Sequence, residues 1–76
     1  MGKAGQALRQ VLELYDISQN QLAVTMGVDR ASVNRWVHEL RDPAAQVVVE
    51  LKQALQQINP EAAKKFVELY LGDEEN

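Results

Sequence analysis

Between Ser18 and His38 the chain gathers side chains that can recognise other molecules through paired hydrogen bonds. Arg30 and Arg35 each carry a planar fork of N–H donors, the geometry that grips guanine O6 and N7 with two bonds at once. Asn34 offers a donor and an acceptor side by side, as adenine N6 and N7 require, and the methyl of Ala31 can meet a thymine methyl. Arginines on an exposed helix most often serve as solubilising charge, so residue type alone leaves recognition and solvation both open. Trp36 can stack on a base, but its spacing with Val33 and Val37 is that of a core residue. His38 is the single histidine and has no nucleophile or orienting acid at a recognisable spacing, so general-base catalysis is not expected. With no cysteine in the chain it also lacks a zinc ligand set. Asp73, Glu74 and Glu75 are contiguous, without the ligand alternation and loop glycine of a calcium loop. Neither enzyme activity nor a metal or cofactor is expected.

The elements that must hold these residues are helices. Ala4, Leu8, Val11, Leu12 and Tyr15 recur at i, i+4, i+7, i+8 and i+11, one face of a helix from about Lys3 to Tyr15, with Gly2 and Gly5 fraying its start. Ser18 with Gln21 three residues on is a capping box that opens a second helix, and Gly27 closes it, since a stop with positive φ suits glycine. Leu22, Ala23 and Met26 form its inward face. Asp29 is an N-cap for a third helix, with Val33, Trp36 and Val37 on its buried side. Asp42-Pro43 reads as an N-cap followed by proline in the first turn of a fourth helix, whose stripe is Val47, Val48, Leu51, Ala54, Leu55 and Ile58. Asn59-Pro60 repeats that chemistry for a fifth, over about 60–71, with Ala63, Phe66, Val67 and Tyr70 inward and Gly72 at its end. Residues 73–76 read as an acidic, solvated tail. The run Val47-Val48-Val49 resembles a strand, but the helical period continues past it and no partner strand exists. Five short helices must then share one core.

The chain's 76 residues make one domain, 1–76, without internal repeats or a low-complexity linker. A domain of this size buries only about 60% of its unfolded surface, so the core must be good. The apolar fraction of 46% provides for that and excludes a disordered chain. No apolar run is long enough to span a membrane, and the start has neither a secretory core nor a myristoylation signal, so the chain is expected in the cytoplasm. The net charge of −3 is unevenly spread. Residues 1–41 hold five Lys/Arg against four Asp/Glu, whereas residues 61–76 hold two Lys against five acids.

A capped helix, a Gly-Val-Asp turn and a second capped helix over about 18–38 form a helix-turn-helix pattern. Gly27 permits the tight turn, Ala23 the close crossing, and Val28 and Val33 fill the angle. The residues Ser18-Gln19-Asn20-Gln21-Leu22-Ala23, Met26-Gly27-Val28 and Ser32-Val33-Asn34-Arg35-Trp36, with Asp42-Pro43 and Ala54-Leu55 downstream, resemble the phage-repressor, or Cro/CI-type (XRE), helix-turn-helix family over about residues 5–58. The resemblance implies an all-α, five-helix lambda-repressor-like domain that binds double-stranded DNA as a small, repressor-like transcriptional regulator. The second helix of the motif would lie in the major groove while the first crosses the backbone. Arg30, Ala31, Asn34 and Arg35 would then face bases. Gln19, Ser32, His38 and Arg41 would approach the backbone, Gln19 by its side chain or by its amide at a helix N-terminus, with a thymine edge as the alternative for Ser32. Two residues depart from the family pattern: Val37 where Glu is frequent, and Glu39 where Gly is. Val37 is expected to enlarge the core, and Glu39 opposes a phosphate path. Few Lys/Arg can reach phosphates, so a monomer's salt dependence should be shallow.

Phe66, Leu69, Tyr70 and Leu71 exceed what one buried face needs. They either cap the core or, as Phe66, Leu69 and Tyr70, form a two-fold homodimer contact, which would pair with an inverted-repeat site whose halves lie roughly 34 Å apart. The rival to DNA binding is a protein-interaction module or adaptor built on the same fold. The acidic balance and Glu39 favour it; Arg30, Asn34 and Arg35 oppose it. An antitoxin, a variant of the main reading, would bind operator DNA and also a protein partner, a toxin, through the fifth helix.

Overall fold

The computed structural model describes residues 3–38 and 43–72, and these form five helices and no strand. They are α1 (Lys3–Leu14), α2 (Gln19–Met26), α3 (Arg30–Val37), α4 (Ala45–Ile58) and α5 (Pro60–Leu71). Helix α5 packs on α4 and α1, α2 packs on α3 and α4, and α3 packs on α1. The apolar stripes meet in one core of Leu8, Val11, Ile17, Leu22, Val33, Leu51, Leu55 and Phe66 with their neighbours. Among the described residues no polar or charged residue is buried, so hydrogen-bonding chemistry lies at the surface. Val37 is buried in this core, as expected of an apolar residue at that place.

The helix ends follow from local chemistry. Ser18 is extended and its hydroxyl oxygen accepts from the Gln21 N–H at 2.9 Å, which starts α2. Asn59 does the same for α5, its Oδ1 accepting from the Glu61 N–H at 3.0 Å ahead of Pro60. Gly27 has φ +77, and the N–H groups of Gly27 and Val28 close back onto Val24 and Ala23, a Schellman stop. A Cβ there would meet nothing within 4 Å, so the backbone angle alone calls for glycine.

Helix α1 stops by the same motif without a glycine. The Ile17 N–H donates to the Leu12 carbonyl at 2.9 Å and the Asp16 N–H to the Glu13 carbonyl at 3.4 Å. Leu12 and Ile17, the apolar pair such a stop brings together, are both buried in the core. Asp16 sits at φ +55, the one non-glycine residue with positive φ among those described. Its carboxylate also lies at the negative end of the helix dipole. Asp16→Gly is therefore expected to relieve about 1 kcal/mol and raise Tm by a few degrees. Asp16→Asn, which tolerates the left-handed region and removes only the charge, should give a smaller rise. Thermal melts followed by circular dichroism measure both, and two unchanged melting temperatures would show that this turn carries neither strain nor charge cost.

Three expectations need correction. Gly5 is buried inside α1 instead of fraying it. Helices α1 and α5 pack together, and both carry small buried residues, Ala4, Gly5 and Ala7 on one and Ala62 and Ala63 on the other, which lets the backbones approach. Asp29 occupies the N-cap of α3 in extended conformation, but its side chain makes no cap hydrogen bond; its backbone carbonyl accepts from Ser32 instead. Helix α4 starts at Ala45 with Ala44 as its N-cap, so Pro43 precedes the helix and is not in its first turn. Gly72 caps the end of α5 as expected, at φ −62 in the right-handed region, so this stop needs no left-handed glycine. Asp42 and the tail 73–76 lie outside the described residues.

Candidate nucleic-acid interface

Helix α3 has two faces of opposite chemistry. Val33, Trp36 and Val37 are buried against the core, and Arg30, Ala31 and Arg35 are exposed. The exposed face follows from sequence numbers: 30, 31, 34 and 35 fall within one sector of a helix with 3.6 residues per turn. Arg30, Ala31, Asn34 and Arg35 accordingly line one shallow, open depression. All four residues expected to face bases are thus brought together.

Two hydrogen bonds order this surface before any ligand arrives. Arg35 Nη2 donates to Ser32 Oγ at 3.2 Å, one turn back on the same helix. Asn34 Nδ2 donates to Gln19 Oε1 at 3.2 Å, across the angle between α3 and α2. Gln19 and Asn34 are both half-buried. The Ser32 hydroxyl, expected near a phosphate, thus serves as an acceptor for Arg35.

Gln19 stands at the N-terminus of α2, where unpaired backbone N–H groups and the positive end of the helix dipole favour an anion. His38, directly after α3, is exposed. Gln19 and His38 line a second groove together with Arg9, Glu13 and Asp16. The structure so unites two of the expected backbone contacts on one rim. It also adds Arg9, a cation from α1 that the sequence reading did not single out. Its signal was faint: Arg9 is one polar residue on the outer side of an amphipathic helix. Glu13 and Asp16 set negative charge beside it, which narrows the cationic strip. Arg41 and Glu39 lie outside the described residues.

The expected dimer contact is changed by what α5 buries. Phe66 is 1% exposed and belongs to the core of its own chain, so it is not available as a surface contact. Its ring stacks on Tyr70, with centroids 6.2 Å apart and planes at 11°. Leu69 and Tyr70 are half-buried and pack against the core. The apolar residue that α5 does present is Leu71, 49% exposed, which with Val67, Glu68 and Gly72 lines a shallow depression. The nearby Lys65–Glu68 ion pair, at 3.9 Å, is solvent-exposed and adds little to stability.

A family model described as helix-turn-helix matches residues 8–68, from the middle of α1 into α5. No curated protein and no solved structure matches the chain. No helix among the described residues is long and apolar enough to cross a membrane.

Proposed function

The chain belongs to the Cro/CI-type (XRE) helix-turn-helix family of DNA-binding regulators, and from that premise we propose that it is a small, repressor-like regulator reading the major groove with α3. The observation that carries this reading is the shared face of the exposed Arg30, Ala31 and Arg35 and the half-buried Asn34, on a helix whose other face is buried. Arg30 and Arg35 grip guanine edges and Ala31 contacts a thymine methyl. Gln19 and His38 rest on the phosphate backbone, with Arg41 following them. A homodimer places two such helices on an inverted repeat, joined through α5, where Leu69 and Tyr70 are only half-buried and Leu71 is exposed. The cytoplasm is its proposed place of action.

A selection from a randomised duplex library at low salt, with the retained fraction sequenced, tests this. Enrichment of an inverted repeat is the expected result. Enrichment of a single half-site would keep the DNA reading and remove the dimer. The net charge of −3 favours the second reading, a protein-interaction module. That reading predicts no retained DNA even at low salt, and such a result would overturn the first.

A further inference from the structure

Asn34 and Gln19 are fifteen residues apart and belong to different helices, yet their side-chain amides are hydrogen-bonded at 3.2 Å. Both side chains are half-buried, whereas Arg30, Ala31 and Arg35 on the same face of α3 are exposed. The amide of Asn34 is therefore tied to α2, although the residue still lines the depression it shares with the arginines. With its Oε1 accepting from Asn34, Gln19 keeps the N–H donors of Nε2 for an acceptor outside the protein. That is the polarity a phosphate oxygen requires. The backbone at the same place agrees. In the first turn of α2 the Gln21 N–H is taken by Ser18 Oγ and the Leu22 N–H by the Ser18 carbonyl, which leaves the N–H groups of Gln19 and Asn20 without intrahelical partners. Amide donors from side chain and backbone thus converge at one helix end with a favourable dipole.

We infer that Asn34 is a positioning residue and not a base reader: it turns Gln19 toward a DNA phosphate and ties α3 to the start of α2. The inference rests on the DNA-binding reading and revises one residue of it. The two roles differ in what they do to specificity. Loss of a base reader changes which base is preferred at one position, whereas loss of a phosphate contact weakens all sequences alike.

The test uses the full chain as wild type, Asn34→Ala, Gln19→Ala and the double variant, with melting curves to compare their folding. Each is put through the duplex selection, and its affinity is measured for the enriched duplex and for a scrambled one. The same sequence should be enriched by all four proteins. Each single substitution should weaken both duplexes by a similar factor, roughly two- to tenfold. The double variant should bind no worse than Gln19→Ala, because Asn34 acts through Gln19. Asn34→Asp provides a sharper readout. A carboxylate can only accept, so Gln19 must turn its Nε2 inward and present its oxygen to the phosphate. Asn34→Asp should therefore lose more affinity in the wild-type background than in the Gln19→Ala background, where only its charge repels DNA. An enriched sequence that changes at one position in Asn34→Ala would overturn the inference and leave the DNA reading standing, as would losses that multiply in the double variant. If the wild type enriches nothing, the DNA reading fails and the inference fails with it.

Discussion

Trp36→Ala is expected to remove about 3–5 kcal/mol of stability, the usual cost of truncating a large buried aromatic to alanine. A domain of 76 residues has about 4–11 kcal/mol in total, so the variant should be at or near the edge of unfolding. The size of the effect follows from where the ring lies. Trp36 is 9% exposed and belongs to the core cluster, on the side of α3 opposite the arginines. Helix α3 is eight residues long and too short to persist unaided; packing on α1 and α2 holds it. An empty indole site would loosen α3 and with it the proposed DNA-facing residues that it carries. Trp36→Phe, which keeps an aromatic ring in place, should lose less. Thermal melts by circular dichroism compare the three proteins. As the sole tryptophan, Trp36 also reports its own exposure through fluorescence in the wild type. An unchanged melting temperature in Trp36→Ala would place the indole outside the core and return it to the surface as a stacking residue.

Arg35→Ala should do the reverse, leaving the fold intact and removing sequence preference at the position it reads. Arg35 is exposed and its guanidinium donates to Ser32 in an exposed hydrogen bond, so stability should change by no more than about 0.5 kcal/mol. A bidentate arginine on guanine supplies about 1–3 kcal/mol of discrimination, so the preferred base at one position in each half-site should lose that advantage over its competitors. Salt dependence separates this role from a phosphate contact. Removing a phosphate-bound arginine lowers the slope of log affinity against log salt by about 1 and weakens all sequences equally. Removing a base reader flattens the enriched sequence at one place. Unchanged affinity and an unchanged enriched sequence, with an unchanged melt, would take Arg35 out of the recognition surface.

Features that depend on a few consecutive residues were legible before the structure. Ser18 and Asn59 cap their helices because a side-chain oxygen reaches an N–H two or three residues ahead, which needs no other part of the chain. Gly27 stops α2 because the left-handed angle is a property of one residue. The stop of α1 has the same backbone geometry, but aspartate there carries no comparable signal, and only the hydrogen bonds of Asp16 and Ile17 reveal it. The start of α4 was misplaced because Asp-Pro suits the turn before a helix as well as its first residues.

The sequence by itself determined that five amphipathic helices form, that Trp36 belongs inside, and that Arg30, Ala31, Asn34 and Arg35 share a face. These follow from helical period and capping, both of which act over one or two turns. Only the tertiary structure decided that Phe66 is consumed by the core, that Gly5 is buried within α1, and that Asn34 bonds to Gln19. Each of these depends on which helix covers which face and at what angle, and a periodic stripe records that a face is buried without recording what buries it.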